Sequence, residues 1–195
     1  MKIGLYFGSF NPIHTGHLLI ANHIINYKLV DEIWMVVSPQ NPFKNENQLL
    51  NANHRLSLVK MAIENTPKIK ASNVEFNLPK PSYTIHTLAY LKEKFPQHHF
   101  SIIMGSDGFL NIDKWKNAPI IMSNYDFFIY ERPGFPVSDR SDVHYQIVQA
   151  PQLLISSTHV REEIKKRHSI QFLVPDVVAE AIQINNYYLD HPSQK

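Results

Sequence analysis

The chain has 195 residues, 44% of them hydrophobic, which is enough to bury one sizeable core. With a moderate charged fraction and a formal net charge of +2, nothing in the sequence looks like the concentrated basic face that a dedicated DNA- or membrane-binding surface needs. No cysteine is present, so disulfide scaffolds and thiolate metal sites are excluded, which fits a reducing compartment.

Residues 2–7, KIGLYF, read as a buried strand ended by Gly8-Ser9. The run is too short for a signal peptide, and no stretch reaches the length of a membrane span. The expected location is therefore the cytoplasm. From Thr15 the period becomes helical, with Leu18, Ala21, Ile24 and Ile25 on one face. Residues 32–38, EIWMVVS, form the near-continuous apolar run of a strand covered on both faces. Helical spacing returns over 55–63 through Leu56, Val59 and Ile63. Residues 74–78, VEFNL, alternate with period two and predict a strand. A helix is expected over 84–95, with Thr84 as its N-cap and Ile85, Leu88 and Phe95 turned inward. Further strands are predicted at 100–105, 126–130 and 152–156, and further helices at 159–167 and 175–189. The alternation implies a Rossmann-like α/β fold, a doubly wound, mainly parallel sheet with helices on both faces. One domain is expected over 1–195, with the helices of 159–189 packed on the same core. In such sheets the ligand crevice lies beyond the carboxyl ends of the strands, where segments 8–17, 38–44, 105–107 and 156–161 are all expected.

The segment FGSFNPIHTGHLLIAN places His14 and His17 at the first strand-to-helix turn. Three readings are open: a metal site, a packed pair, or two donors aimed at an anion. A zinc site would need a third ligand and an acid, and neither is nearby. Gly8 and Ser9 open a turn whose amides can face a ligand, and Gly16 removes a side chain beside the helix start. Two imidazoles there can give charge-assisted hydrogen bonds to phosphate. The loop is neither the dinucleotide-binding nor the P-loop pattern. In ISSTHVRE (155–162), a cap at Thr158 would put Arg161 at the third helical position, where a capping box has Glu or Gln. That helix start would then stay positive, as a phosphate site requires; the alternative is an ordinary capped helix with a surface arginine.

GSFNPIHTGH resembles the H-x-G-H signature of the nucleotidyltransferase superfamily related to class I aminoacyl-tRNA synthetases, and ISSTHVRE resembles its I-S-[SA]-T-x-x-R signature. PSYTIHTL (81–88), GSDGFLNIDKW (105–115) and ERPG (131–134) resemble segments of the bacterial nicotinate-nucleotide adenylyltransferases, or deamido-NAD pyrophosphorylases. The resemblance implies ATP and nicotinate mononucleotide as substrates, nicotinate adenine dinucleotide and pyrophosphate as products, and no covalent enzyme intermediate. It implies Mg2+ bound with ATP and no metal ligand from the protein. By the same resemblance His17 stabilises the α-phosphate, His14 binds neighbouring oxygens, and Arg161 with Ser157 and Thr158 holds the β- and γ-phosphates. Gly8, Ser9, Phe10, Gly16 and Gly105 belong to the same nucleotide surface. On the acceptor side Trp115 would stack on the pyridine ring, amides around Thr84 and Lys116 would hold its carboxylate, and Asp107 would bind a ribose hydroxyl. Tyr83, Arg132 and Lys44 complete that set. Phe43 stands where the family commonly has histidine and Asn11 where Asp is commoner, while Arg55 is expected to orient the loop or helix start. The account requires Gly16–His17 and Thr158–Arg161 to lie close together with both imidazoles accessible. Alternatives are nicotinamide mononucleotide or phosphopantetheine as acceptor, or a non-catalytic nucleotide-binding regulator. No nucleic acid or membrane partner is expected, and a homo-oligomer is left open.

Overall fold

The computed structural model describes residues 1–42 and 49–189. Six strands, β1 (Lys2–Gly8), β2 (Glu32–Val37), β3 (Ile69–Ser72), β4 (His99–Gly105), β5 (Asp126–Tyr130) and β6 (Tyr145–Val148), form one sheet. Their order is β3-β2-β1-β4-β5-β6 and every neighbouring pair is parallel. The helices are α1 (Thr15–Asn26), α2 (Ala52–Ala62), α3 (Thr84–Lys94), α4 (Ser106–Phe109), α5 (Ala118–Asn124), α6 (Ser157–Lys165) and α7 (Asp176–Ile184).

Successive strand residues feed opposite layers. Tyr6, Met35, Ile103 and Phe128 pack with Ile24 of α1, Val59 of α2, Val160 of α6 and Val178 of α7. Leu5, Val36, Ile102 and Ile129 pack with Leu88 of α3, Phe109 of α4 and Ile121 of α5. A sheet covered on both faces has no wet side, which is why Ile33–Val37 of β2 and Ile102–Met104 of β4 are continuous apolar runs rather than alternating. The strand order reverses between β1 and β4, and that switch point opens a crevice at their carboxyl ends. Among the described residues no helix is long and apolar enough to cross a membrane.

Two expected strands are corrected. Residues 74–78 are not a strand: Val74–Asn77 form a 3-10 turn that buries Glu75. The edge strand is instead Ile69–Ser72, in register with β2 from Ile33↔Ile69 to Val36↔Ser72. Its Lys70 pairs with Glu32 at 2.7 Å, a charged edge of the kind that discourages further strand pairing. Residues 152–156 are not a strand either, and β6 lies at Tyr145–Val148. The apolar run there is not core, because Leu154 is 84% exposed.

Candidate active site

The chain leaves β1 through Phe10, whose φ of 44° is a left-handed conformation that a bulky side chain adopts only under tertiary constraint. The constraint is burial of its ring, 5.9 Å edge-on to Tyr6 and 5.0 Å from His17. Behind this loop lies Arg55 of α2, 0% exposed. It donates to the carbonyls of Ser9, Ser38 (2.8 Å), Pro39 (3.0 Å) and Leu50 (2.8 Å). The loops after β1 and β2 are thus held by one guanidinium, as the expected orienting role requires. Asn11 Oδ1 accepts from the Leu50 N–H at 3.1 Å, fastening the same corner.

His14 is the N-cap of α1 and His17 its third residue. Their rings stack with centroids 3.7 Å apart. The His14 backbone N–H donates to His17 Nδ1 at 3.3 Å, so the neutral His17 ring carries its proton on Nε2. Gly16 leaves room beside them: a Cβ there would sit 3.1 Å from His14 Nδ1, so the imidazole would have to shift by a few tenths of an ångström. His14 departs from expectation, and the requirement that both imidazoles be accessible fails at this residue. It is only 4% exposed, and its pKa falls from 6.5 to about 4 through burial and, secondarily, the Arg132 charge. Near neutral pH it is an uncharged imidazole, not the charge-assisted donor foreseen for it. Its Nδ1 and the Ser9 hydroxyl are buried with no hydrogen-bond partner among the described residues.

The second signature meets the first directly. Ser157 Oγ donates to the Pro12 carbonyl at 2.9 Å, and Arg161 Nη1 donates to the Asn11 carbonyl at 2.8 Å. The cap is Ser156 rather than Thr158: its Oγ accepts from the His159 N–H at 3.1 Å, so the third helical residue is His159. Of three consecutive hydroxyls, the other two are engaged, Ser157 with Pro12 and Thr158 with Arg161 Nη2 at 3.4 Å. The expected proximity of the two signatures holds. The helix start no longer follows a strand end, since β6 stops at Val148.

Two cavities open over the sheet. The first, about 310 Å³, lies at the switch point and is walled by Gly8, Ser9, Phe10, Gly105 and Ser157 on the β1–β4 side. Tyr83, Thr84, Asp107, Trp115 and Lys116 also line it. The second, about 260 Å³, is lined by His14, Gly16 and residues 150–156. Tyr6, His17, Tyr130 and Arg132 line both, so the cavities meet at His17. Thr158 and Arg161 line neither. Lys44 and Phe43 lie outside the described residues.

At the junction, Tyr6 Oη donates to Tyr130 Oη at 3.1 Å, and Arg132 Nη2 reaches Tyr130 Oη at 3.4 Å. Arg132 Nη1 pairs with Asp107 Oδ2 at 3.2 Å, and its backbone N–H donates to Ser106 Oγ at 2.9 Å. Gly105 makes room for this pair, because a Cβ there would lie 2.5 Å from Asp107 Oδ1. Thr84 is the first residue of α3, not its cap; extended Tyr83 precedes it, with the Lys116 ammonium 4.7 Å from its ring. In this first turn the His86 N–H donates to the Tyr83 carbonyl at 3.0 Å, while the N–H groups of Thr84 and Ile85 come too early in the helix for an intrahelical acceptor. Sequence reading missed Tyr6 and Tyr130, which period two marks only as core, and Glu75, hidden in the misread segment. Glu75 lines the first cavity at 2% exposure; burial raises its pKa, and Thr87 Oγ1 donates to Oε1 at 2.8 Å. Among the described residues no three or more His, Asp or Glu side chains gather as a metal site.

Comparison with known proteins gives a consistent result. The cytidylyltransferase-like family matches residues 5–163. A protein of Flavobacterium psychrophilum named "Probable nicotinate-nucleotide adenylyltransferase" is 47% identical over 191 residues, covering 96% of this chain and 99% of its own. One of the same name from Cytophaga hutchinsonii is 46% identical over 192 residues, covering 98% and 100%. The nicotinic acid mononucleotide adenylyltransferase of Plasmodium falciparum complexed with NaAD superposes with a TM-score of 0.83. It is 26% identical and covers 96% of this chain and 97% of its own.

Proposed function

Since the chain belongs to the cytidylyltransferase-like family, among the nicotinate-nucleotide adenylyltransferases, we propose that it joins nicotinate mononucleotide to ATP, yielding nicotinate adenine dinucleotide and pyrophosphate. The observation that carries this reading is the meeting of two cavities at His17. The first, with Trp115 and the α3 N-terminus, suits the pyridine mononucleotide. The second, beside residues 150–156, suits the adenosine. The phosphorus centre then falls at the junction.

The reaction forms one bond, from the acceptor 5′-phosphate oxygen to the α-phosphorus, and breaks another, from that phosphorus to the bridging oxygen of the departing pyrophosphate. A phosphate monoester, with a second pKa of about 6, is already anionic, so no general base is needed. The work is positioning and charge stabilisation. In this reading His17 Nε2–H donates to the α-phosphate as negative charge builds there. His14 donates to a neighbouring oxygen, and the triphosphate, by its own charge, favours its protonated form. The start of α6 at Ser157 and Thr158 presents amides to the β- and γ-phosphates, with Gly8, Ser9, Phe10 and Gly16 shaping the surface. Arg161 adds its charge there and, through the Asn11 carbonyl, acts as a positioning residue. On the other side Trp115 stacks on the electron-poor ring, and the amides near Thr84 and Lys116 hold the carboxylate. Asp107, fixed by Arg132, meets the ribose. Mg2+ would come with the MgATP substrate: the first cavity's two carboxyls, Glu75 held by Thr87 and Asp107 paired with Arg132, are not gathered into a cage among the described residues. We place this reaction in the cytoplasm, within one domain spanning 1–195.

The test is an acceptor panel with MgATP, reading pyrophosphate release. Nicotinate mononucleotide should give the highest kcat/KM. Faster turnover of nicotinamide mononucleotide or phosphopantetheine, or none at all, would overturn the reading.

A further inference from the structure

Tyr6 and Tyr130 stand near the carboxyl ends of β1 and β5, with β4 between them. Strands two apart lie about 10 Å from each other. The two rings lean across that gap until their centroids are 6.0 Å apart and their hydroxyls 3.1 Å apart. Gly105, the β4 residue in register with Tyr130, leaves the room for this. A Cβ there would lie 3.1 Å from Tyr130 Cε2 and 3.0 Å from Arg132 Nε.

Two phenols bring two protons, and a single bond joins them. Tyr6 gives its proton to Tyr130 Oη, and Arg132 Nη2 approaches the same oxygen at 3.4 Å. Burial holds the Tyr6 hydroxyl well above its ordinary pKa, so it remains a donor. With donors facing both lone pairs of Tyr130 Oη, the proton of Tyr130 points elsewhere. Among the described residues nothing accepts it. Reversing the shared bond would only move the unspent proton to Tyr6, which is more deeply buried. The place is specific as well: both tyrosines line both cavities, and the Tyr6 ring lies 6.0 Å from that of His17. An unused donor at a cavity junction, with an Arg132 charge behind it, suits an anionic oxygen.

We propose that Tyr130 is a further catalytic residue, whose hydroxyl donates to a non-bridging α-phosphate oxygen of ATP beside the oxygen held by His17. This rests on the function proposed above and adds a second donor to the charge that builds at phosphorus. The phenol keeps its proton throughout, so the bonds made and broken are unchanged. Tyr6 is a positioning residue: it aims the Tyr130 proton and, by donating into Tyr130 Oη, strengthens it as a donor. Arg132, fixed in turn by Asp107 at 3.2 Å, acts on the same oxygen.

The test measures kcat and KM with nicotinate mononucleotide and MgATP in the parent, Tyr130→Phe, Tyr6→Phe and the double variant, with Tm alongside. Tyr130→Phe should lower kcat about tenfold to thirtyfold, less than the loss of a charged or amide donor, and leave both KM values within about twofold. Tyr6→Phe should cost about threefold, and the double variant should be no slower than Tyr130→Phe, because Tyr6 acts through Tyr130. A second readout uses the two diastereomers of ATP carrying sulfur on the α-phosphorus, since sulfur accepts hydrogen bonds weakly. Their rate ratio should move by about fivefold between the parent and Tyr130→Phe, a change that a merely structural hydroxyl would not cause. An active parent whose kcat survives Tyr130→Phe overturns this inference alone. So does an unchanged diastereomer ratio, or a double variant in which the two losses multiply. A parent inactive with nicotinate mononucleotide overturns the proposed function as well.

Discussion

Arg55→Met removes the guanidinium that joins four carbonyls from three stretches of chain. Hydrogen bonds from a charged donor contribute about 1.5–3 kcal/mol each, and a buried carbonyl left without a donor costs about 1–3 kcal/mol. Against this stands the cost of burying the cation, visible as a pKa pulled below its ordinary value by desolvation. The two effects oppose each other, and the bonds win because the carbonyls remain after the side chain is gone. A net loss of about 3–5 kcal/mol follows, as for other buried charged networks that lose one member. In a chain of this size each kcal/mol moves Tm by about 2–4 °C, so unfolding followed by circular dichroism should shift down by about 6–20 °C. Arg55→Lys should fall between, since an ammonium has three donors and no planar fork. Because Ser9 and Ser38 both line the first cavity, the lysine variant should also show a raised acceptor KM. An Arg55→Met protein melting within about 2 °C of the parent would refute the reasoning.

Three further outcomes are expected. His17→Ala should lower kcat by about 10²–10³, the usual cost of removing a transition-state donor; a folded variant with normal turnover in the pyrophosphate assay removes His17 from the chemistry. Trp115→Ala should raise KM for the mononucleotide far more than for ATP, and equal changes would make the indole purely structural. His14 titrates at 6.5 unfolded and about 4 folded, so between those values the unfolded chain binds the extra proton. Stability is therefore full above pH 6.5 and falls by about 3 kcal/mol on acidification towards pH 4. His14→Gln should flatten Tm against pH over that window, and an unchanged slope would contradict the burial of the imidazole.

Legibility in the sequence followed the strength of the local signal. The doubly covered sheet is written in long apolar runs such as EIWMVV, and the helix after Thr15 in a change of period. The segment VEFNL misled because five residues of alternation also fit a 3-10 turn, and only long-range pairing of Ile69–Ser72 with β2 decides the edge. QLLIS misled because apolar residues at a cavity rim resemble core in composition. The cap of α6 was ambiguous among three hydroxyls, and the choice depends on Pro12, distant in sequence. Most proposed site residues do converge on the two cavities. What no motif could reveal was the depression of the His14 pKa, the Tyr6–Tyr130–Arg132–Asp107 chain and buried Glu75, all products of packing.

A crystal structure with nicotinate adenine dinucleotide bound is the most direct measurement. The pyridine ring should lie against Trp115 in the first cavity and the adenosine beside residues 150–156 in the second. The phosphates joining them should come within about 3 Å of His17 Nε2. A dinucleotide held wholly in one cavity, or phosphates out of reach of His17, would contradict the account.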